Sequence, residues 1–399
     1  MKTVFLSMLA IAALASCSKQ DFIDPPSPNP QEGEKMLVNI TLSSGEITKA
    51  SGAATTAEDK TISNVTVFFL NATDQIVSRQ YVTGASLTDD PDNAGVKKAT
   101  VETRTTATKM MVIANIGEDR TATGGTLNVA TRSQLVNVVQ DLVNTDNPPL
   151  PVQVKGDVLM SGEGNVSEMV ADPAGGASTA TAAVTLDYIA AKITLSKIEL
   201  GAQVGVYGTD FKFTRAFLLN VQTKSHYFPT ANSYIPDPKA YANGVAWEAA
   251  WGTDPGYPVV ADFNQALNFP DMTGAKTDIA HWYVFENDPA TVDPTNHPTI
   301  LAVEVEWTKT KADADAGVSE EKVMKMFNVI FAPGDKGVIK AGQAYNVALT
   351  FNGDFRPESD GGNGGGGDDN PDQPNISANV SISVTPADWT DTPTEKPFE

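Results

Sequence analysis

Alternation of apolar and polar residues, recurring from residue 36 to near the end of the chain, constrains this sequence more than any other feature. Val38, Ile40 and Leu42 alternate with Asn39 and Thr41, and Val65, Val67 and Phe69 repeat the pattern. Leu301, Val303, Val305 and Trp307 do so against Glu304 and Glu306, and Tyr345, Val347, Leu349 and Phe351 continue it. A period of two sends every second side chain to one face of an extended strand, so each run reads as a half-buried strand. Gly, Asp, Asn and Pro turns separate the runs, which predicts a mainly β protein of antiparallel β-sandwiches with few short helices. One helix is expected to start at Thr131. There Thr131 and Gln134 form a capping box, and Leu135, Val138, Val139 and Leu142 fall at helical spacing.

At 399 residues the chain is too long for one small domain. The hydrophobic set is 41% of the residues, enough for packed cores. Residues 171–183, ADPAGGASTATAA, read as a soft loop before a strand pair at 184–200. This divides the chain into two tandem sandwiches, 50–186 and 187–357. Residues 358–374, ESDGGNGGGGDDNPDQP, have a composition that supports no core and read as a flexible linker. In the tail that follows, 375–399, Ile376, Ala378, Val380, Ile382 and Val384 alternate with Ser377, Asn379, Ser381 and Ser383. A lone strand satisfies neither its backbone nor its apolar face, so this one must join a sheet of its own domain or of another molecule.

The first residues read as an address. Lys2 is followed by an apolar stretch, Val4 to Leu14, and Leu14-Ala15-Ser16-Cys17 places small residues before the only cysteine. About 11 largely apolar residues fall short of the ~20 that span a bilayer. The segment is similar to a bacterial lipoprotein signal (1–16), which implies cleavage before Cys17 and acylation of that cysteine. The other reading is a plain secretory signal with an incidental cysteine. Residues 17–34 include Pro25, Pro26, Pro28 and Pro30, a stiff spacer that would hold a folded body off a membrane.

Charge and residue types exclude several functions. With 28 Lys+Arg against 49 Asp+Glu the net charge is −21, which repels nucleic-acid phosphates, and a single Cys leaves no intramolecular disulfide or Cys-based zinc site. His226, His281 and His297 form no metal-ligand spacing and read as turn or surface residues. No nucleophile elbow, phosphate loop or dinucleotide fingerprint is present. Asp90-Pro91-Asp92-Asn93-Ala94-Gly95 begins like a calcium loop, but Ala94 and Val101 stand where ligands are needed, so it reads as a solvated turn. Carboxylate pairs for glycoside hydrolysis are defined by geometry that the sequence does not display. Trp247, Trp251, Trp282 and Tyr283 could stack on a sugar, although sandwiches more often bury such residues in the core. No catalytic residue, metal or cofactor is expected.

One resemblance spans most of the chain. The signal ending in Cys17 is followed by a first strand at 36–42, then Thr48-Lys49-Ala50-Ser51, then Glu58 to Asn64 (EDKTISN) leading into VTVFFLN. Further on, Met111 to Asn115 (MVIAN), Leu159-Met160-Ser161-Gly162, Ala190-Ala191-Lys192-Ile193, Phe217 to Val221 (FLLNV) and Tyr283 to Asn287 (YVFEN) follow in order. In this ordered set the chain resembles the fimbrillins, the Bacteroidales-type pilins of type V pili. The family commonly has Arg where this chain has Lys49, and often an Arg shortly before the Ala-Lys pair, where this chain has Asp187-Tyr188.

The resemblance implies a transthyretin-like sandwich fold and a structural role at the cell surface. A lipoprotein precursor reaches the outer membrane, and a trypsin-like protease cuts between Lys49 and Ala50. The first strand, within residues 35–49, then leaves with the lipid. The emptied groove would accept the tail strand of a neighbouring subunit by strand addition, with Ile376, Ala378, Val380, Ile382 and Val384 as its apolar face. Such a head-to-tail contact generates a filament of copies of the chain or related pilins, supporting adhesion. The alternative is a non-polymerising surface lipoprotein that binds glycan or protein ligands.

Overall fold

The computed structural model describes residues 33–44, 57–142, 153–201, 208–229, 241–251, 253–270, 272–287, 297–309, 322–331, 338–351 and 380–388. The first half contributes nine strands: β1 (Lys35–Ser44), β2 (Val65–Leu70), β3 (Ile76–Val82), β4 (Thr88–Asp89), β5 (Lys97–Arg104), β6 (Lys109–Ala114), β7 (Val139–Asp141), β8 (Met160–Asn165) and β9 (Ser178–Tyr188). The second half opens with β10 (Ala190–Leu200), β11 (Gly208–Leu219), β12 (Val221–Gln222), β13 (Lys224–His226), β14 (Tyr241–Ala242) and β15 (Asn264–Phe269). It closes with β16 (Lys276–Phe285), β17 (Ile300–Lys309), β18 (Lys322–Ile330), β19 (Gln343–Phe351) and β20 (Val380–Asp388). The protein is mainly β, as the alternation requires.

In the first half, eight strands run in the order β3-β2-β6-β8-β9-β1-β5-β4. The sheet folds over on itself, so that Ser78 of β3 and Thr103 of β5 share a buried hydrogen bond of 2.6 Å across the interior. β9 links the two layers: residues 178–186 pair with β1, while Asp187 and Tyr188 pair with β8. Gly162 of the Leu-Met-Ser-Gly motif lies where β8 crosses β9, and a Cβ there would sit 2.3 Å from the Thr185 carbonyl oxygen. In the second half, β16-β10-β19-β20 faces β15-β11-β17-β18. Phe351 of β19 meets Phe213 of β11 and Phe327 of β18 edge to face, with centroids 5.0 and 5.1 Å apart, closing that sandwich.

Sheet membership changes at Ile189, between β9 and β10, and one apolar core runs through both halves. A short ladder joins them as well, with Lys224, Ser225 and His226 of β13 paired to Asp141, Gln140 and Val139 of β7. Beside it Arg120 donates to Gln140 Oε1 at 2.8 Å and to the Tyr227 hydroxyl at 3.1 Å. Burial is the main reason the Tyr227 phenol is pushed up to about 12.

Several expectations are corrected. The helix at Thr131 covers only α1 (Arg132–Val136). Its cap forms, with Gln134 N–H donating to Thr131 Oγ1 at 3.2 Å, but Gln134 Oε1 reaches back to Ala130 N–H rather than to that of Thr131. Val139 lies in β7 because pairing with β13 outweighs the helical spacing. Residues 178–183, read as loop, belong to β9. β2 is buried at all six positions rather than half-buried, since it lies between β3 and β6 within the folded sheet. Two ladders, β1·β9 and β10·β19, are parallel where antiparallel pairing was expected. His226 is 8% exposed rather than at the surface, and burial lowers its pKa while hydrogen bonds to the Val138 and Asn137 carbonyls oppose the shift.

Candidate assembly site

β1 is an interior strand. It pairs antiparallel with β5, from Lys35↔Arg104 to Leu42↔Lys97, and parallel with β9, from Met36↔Ser178 to Ser44↔Leu186. Its sequence alternates, and so does its burial: Met36, Val38, Ile40 and Leu42 are each at most 1% exposed. At ~1.5 to 3 kcal/mol per buried side chain of this size, these four residues provide most of the side-chain contribution to its attachment. The outer face adds little. Lys35–Glu102, at 2.6 Å, joins an exposed lysine to a half-buried glutamate, and Asn39 accepts one hydrogen bond from Thr100 at 2.8 Å. The neighbours beside the apolar row are mostly small: Ala180 and Ala182 on β9 stand opposite Val38 and Ile40, with Val101 of β5 on the other side. Without β1, a furrow with two unpaired ladder edges would remain between β5 and β9.

A buried polar cluster lies downstream of β1. Asp59, in the 3-10 turn Ala57–Lys60, is 0% exposed. Its Oδ2 accepts from Lys192 Nζ of β10 at 2.7 Å, its Oδ1 accepts from the Tyr283 hydroxyl of β16, and its carbonyl accepts from the Tyr188 hydroxyl of β9 at 3.1 Å. Lys192 Nζ also lies 5.6 Å from the Tyr283 ring centroid. Burial, reinforced by the Asp59 charge, raises the Tyr188 phenol, whereas a hydrogen bond from Ser44 at the end of β1 opposes the rise. Tyr188 therefore touches both β1 and the segment that resumes after it.

Three sequence motifs meet in this cluster: EDKTISN, AAKI and YVFEN. Of its residues only Tyr283 is a candidate from sequence, and then as one of four aromatics that could stack on a sugar rather than as a partner of Asp59. The available signal was Lys192, a cation in the apolar run AAKITL, which implies a buried counter-charge elsewhere in the chain. The asparagines that close MVIAN and YVFEN serve as strand-end clamps. Asn115, at φ 67°, accepts from Ser63 N–H at 2.8 Å and donates to the Thr61 and Val158 carbonyls. Asn287 Nδ2 donates to the His297 carbonyl at 2.9 Å and to Thr299 Oγ1 at 3.0 Å.

At the other end of the chain, β20 pairs antiparallel with β19, from Val380↔Phe351 to Asp388↔Gln343. The strand read at 376–384 is described as 380–388, so Val380, Ile382 and Val384 lie in it, opposite the buried Phe351, Leu349 and Val347. β20 is the outermost strand of its sheet, where Pro386 can be accommodated without a ladder N–H. Cys17, Lys49, Ala50, Ile376 and Ala378 lie outside the described residues.

The remaining candidates separate. Trp251, Trp282 and Tyr283 are buried, and Trp247 packs edge to face on Trp251 in a different cluster from Trp282 and Tyr283. The four do not form one sugar-stacking platform. The Asp90 carboxylate is 2.9 Å from Lys98 Nζ and accepts from Asp92 N–H and Asn93 Nδ2, so it holds its own turn together; Lys98 also keeps that carboxyl below the usual range. Asp90 itself is 8% exposed, but Pro91 to Gly95 are all exposed, so the segment is a solvated turn anchored by a buried first residue. Among the described residues no group of three or more His, Cys, Asp or Glu is arranged to hold a metal ion.

Comparison with known proteins agrees with this architecture. The family model of the FimA-like major fimbrial subunit protein, C-terminal domain, matches residues 190–389. Among solved structures, a candidate cell adhesion protein from Bacteroides eggerthii is similar over 90% of this chain and 98% of its own, at 24% identity and a TM-score of 0.63. Another, from Parabacteroides distasonis, is similar over 92% and 100%, at 17% identity and a TM-score of 0.55. A fimbrilin from Porphyromonas gingivalis is similar over 88% and 97%, at 16% identity and a TM-score of 0.54. At these identities the likeness is one of fold. No curated protein matches the chain.

Proposed function

Because this chain belongs to the FimA-like major fimbrial subunit family, we propose that it is a structural subunit of a cell-surface fimbria, assembled by strand exchange and supporting adhesion. In this reading the precursor is exported as a lipoprotein on Cys17 and anchored at the outer membrane. A trypsin-like protease trims it between Lys49 and Ala50, and the segment carrying β1 departs with the lipid. The tail of a neighbouring copy or related pilin then enters the furrow between β5 and β9. The role is structural and requires no catalytic residue or cofactor.

The position of β1 carries the proposal. It is an interior strand near the start of the chain, held by four apolar side chains at a period of two, with a sparsely bonded outer face. Its removal would leave an acceptor of defined register, and Ile376, Ala378, Val380, Ile382 and Val384 offer the matching period. Pro386 lacks an N–H and would interrupt an interior ladder, so the donated stretch must end before it. Residues 380–385 would therefore have to leave β19 before they could enter a neighbour.

Mass mapping of N-termini from sheared surface fibres tests this. Subunits beginning at Ala50 are expected, and Lys49→Ala should leave a full-length, lipid-anchored monomer. Fibres built from subunits that retain Cys17 to Lys49 would overturn the proposal.

A further inference from the structure

Lys60 is the next basic residue after Lys49, so the trimming proposed above, on which this inference rests, has a nearby competing site. A protease that cuts after Lys must draw several flanking residues into an extended conformation, which is why cleavage concentrates in exposed loops. Around the Lys60–Thr61 bond the chain is held on both sides. Upstream, the Asp59 carbonyl accepts from Tyr188 at 3.1 Å, and its carboxylate binds Lys192 at 2.7 Å and the Tyr283 hydroxyl. Downstream, the Thr61 carbonyl accepts from Asn115 Nδ2 at 2.8 Å, Ser63 N–H donates to Asn115 Oδ1 at 2.8 Å, and Ile62 is 3% exposed. Lys60 itself ends the 3-10 turn and is half-buried.

We infer that the Asp59 cluster determines processing specificity by shielding the Lys60–Thr61 bond, so that trimming stops upstream and the mature subunit keeps residues 50–60. The positioning residue is Asp59, acting through Lys192, Tyr283 and Tyr188. The same contacts keep the chain seated at residue 57 onward once β1 has gone. The trimmed end therefore begins from a fixed point beside the emptied furrow.

The test is limited digestion of the full-length protein with trypsin, with new N-termini mapped by mass. Arg79 is the next basic residue after Lys60 and is 1% exposed, so cleavage after it reports general unfolding. The intact protein should yield no Thr61 terminus while Arg79 is protected. Asp59→Asn should release that terminus about tenfold faster or more, because cleavage follows the population of the locally opened state, with Arg79 still intact. A Thr61 terminus from the unaltered protein as fast as an Ala50 terminus would overturn the inference, as would an uncut Lys60 in Asp59→Asn. If Asp59→Asn opens Arg79 as well, Tyr283→Phe, which removes the hydrogen bond to Asp59, decides. A Thr61 terminus with Arg79 intact upholds the inference, and its absence overturns it. Cleavage at Lys49 is read separately in the same map, so failure of the trimming proposal is distinguishable.

Discussion

Lys192 Nζ lies 2.7 Å from Asp59 Oδ2, joining a turn of the first sandwich to a strand of the second where neither side chain is more than 9% exposed. A buried pair of this kind is costly to break from one side, because the remaining charge keeps its desolvation penalty and loses its partner. Lys192→Met is therefore expected to cost about 3 to 5 kcal/mol in urea unfolding. The double variant Asp59→Asn, Lys192→Met should recover a large part of that loss, since no net charge stays buried. Additive losses in the double variant would mean that the two residues contribute independently.

A second expectation concerns pH. Burial lowers the His226 pKa from its ordinary 6.5, so the folded protein holds a neutral ring while the unfolded chain still takes up a proton. Above 6.5 both states are neutral and the residue adds no pH dependence. As pH falls below 6.5 the unfolded state binds more protons and stability declines, until the lowered folded pKa is reached. Thermal midpoints measured from pH 7.5 to 5 should therefore fall more steeply for the unaltered protein than for His226→Asn. Parallel curves would refute a role for this ring.

The tail provides a third test. Val380→Asp with Ile382→Asp places two carboxylates on the apolar side of the strand, where desolvating an unpaired charge is costly. After trimming, this variant should remain a soluble monomer and form no denaturant-resistant ladder, while Ser381→Asp should still polymerise. Ladders of equal strength in both would place the donor elsewhere in the chain.

Export supplies the fourth. If Cys17 accepts the acyl chains, Cys17→Ala should deplete the precursor from the outer-membrane fraction, because those chains provide the anchorage. Unchanged surface fimbriation would reject the lipid step. Metabolic labelling with a fatty-acid analogue provides a direct measurement.

Elements whose partners take one face were legible in the sequence. β19 shows the same alternation in sequence and in burial because it presents one face to the core, whereas β17 alternates only from Val303 to Trp307 and is buried on both faces from Ile300 to Val303. The region after α1 was not legible, since helical spacing at Val138 and Val139 is a local signal and β7 is fixed by β13, far along the chain. Asp59 was hidden for a related reason. In EDKTISN it resembles any solvent-facing acid, and only its distance to Lys192 and Tyr283 makes it part of the core. Period reveals which way a side chain points relative to its own strand, but not which distant group it meets.

The parallel ladder between β1 and β9 also bears on how the chain folds. Val38 faces Val101 on one side and Ala180 on the other, and β1 has no ladder with the strands that directly follow it. Contacts so distant along the chain carry a loop-closure cost before they return any stability, so they form late. β1 precedes both of its partners, and its parallel ladder closes only once β9, more than 130 residues further on, is in place. β1 is thus expected to be among the last strands to join the sheet, and its departure would reverse a late step of folding.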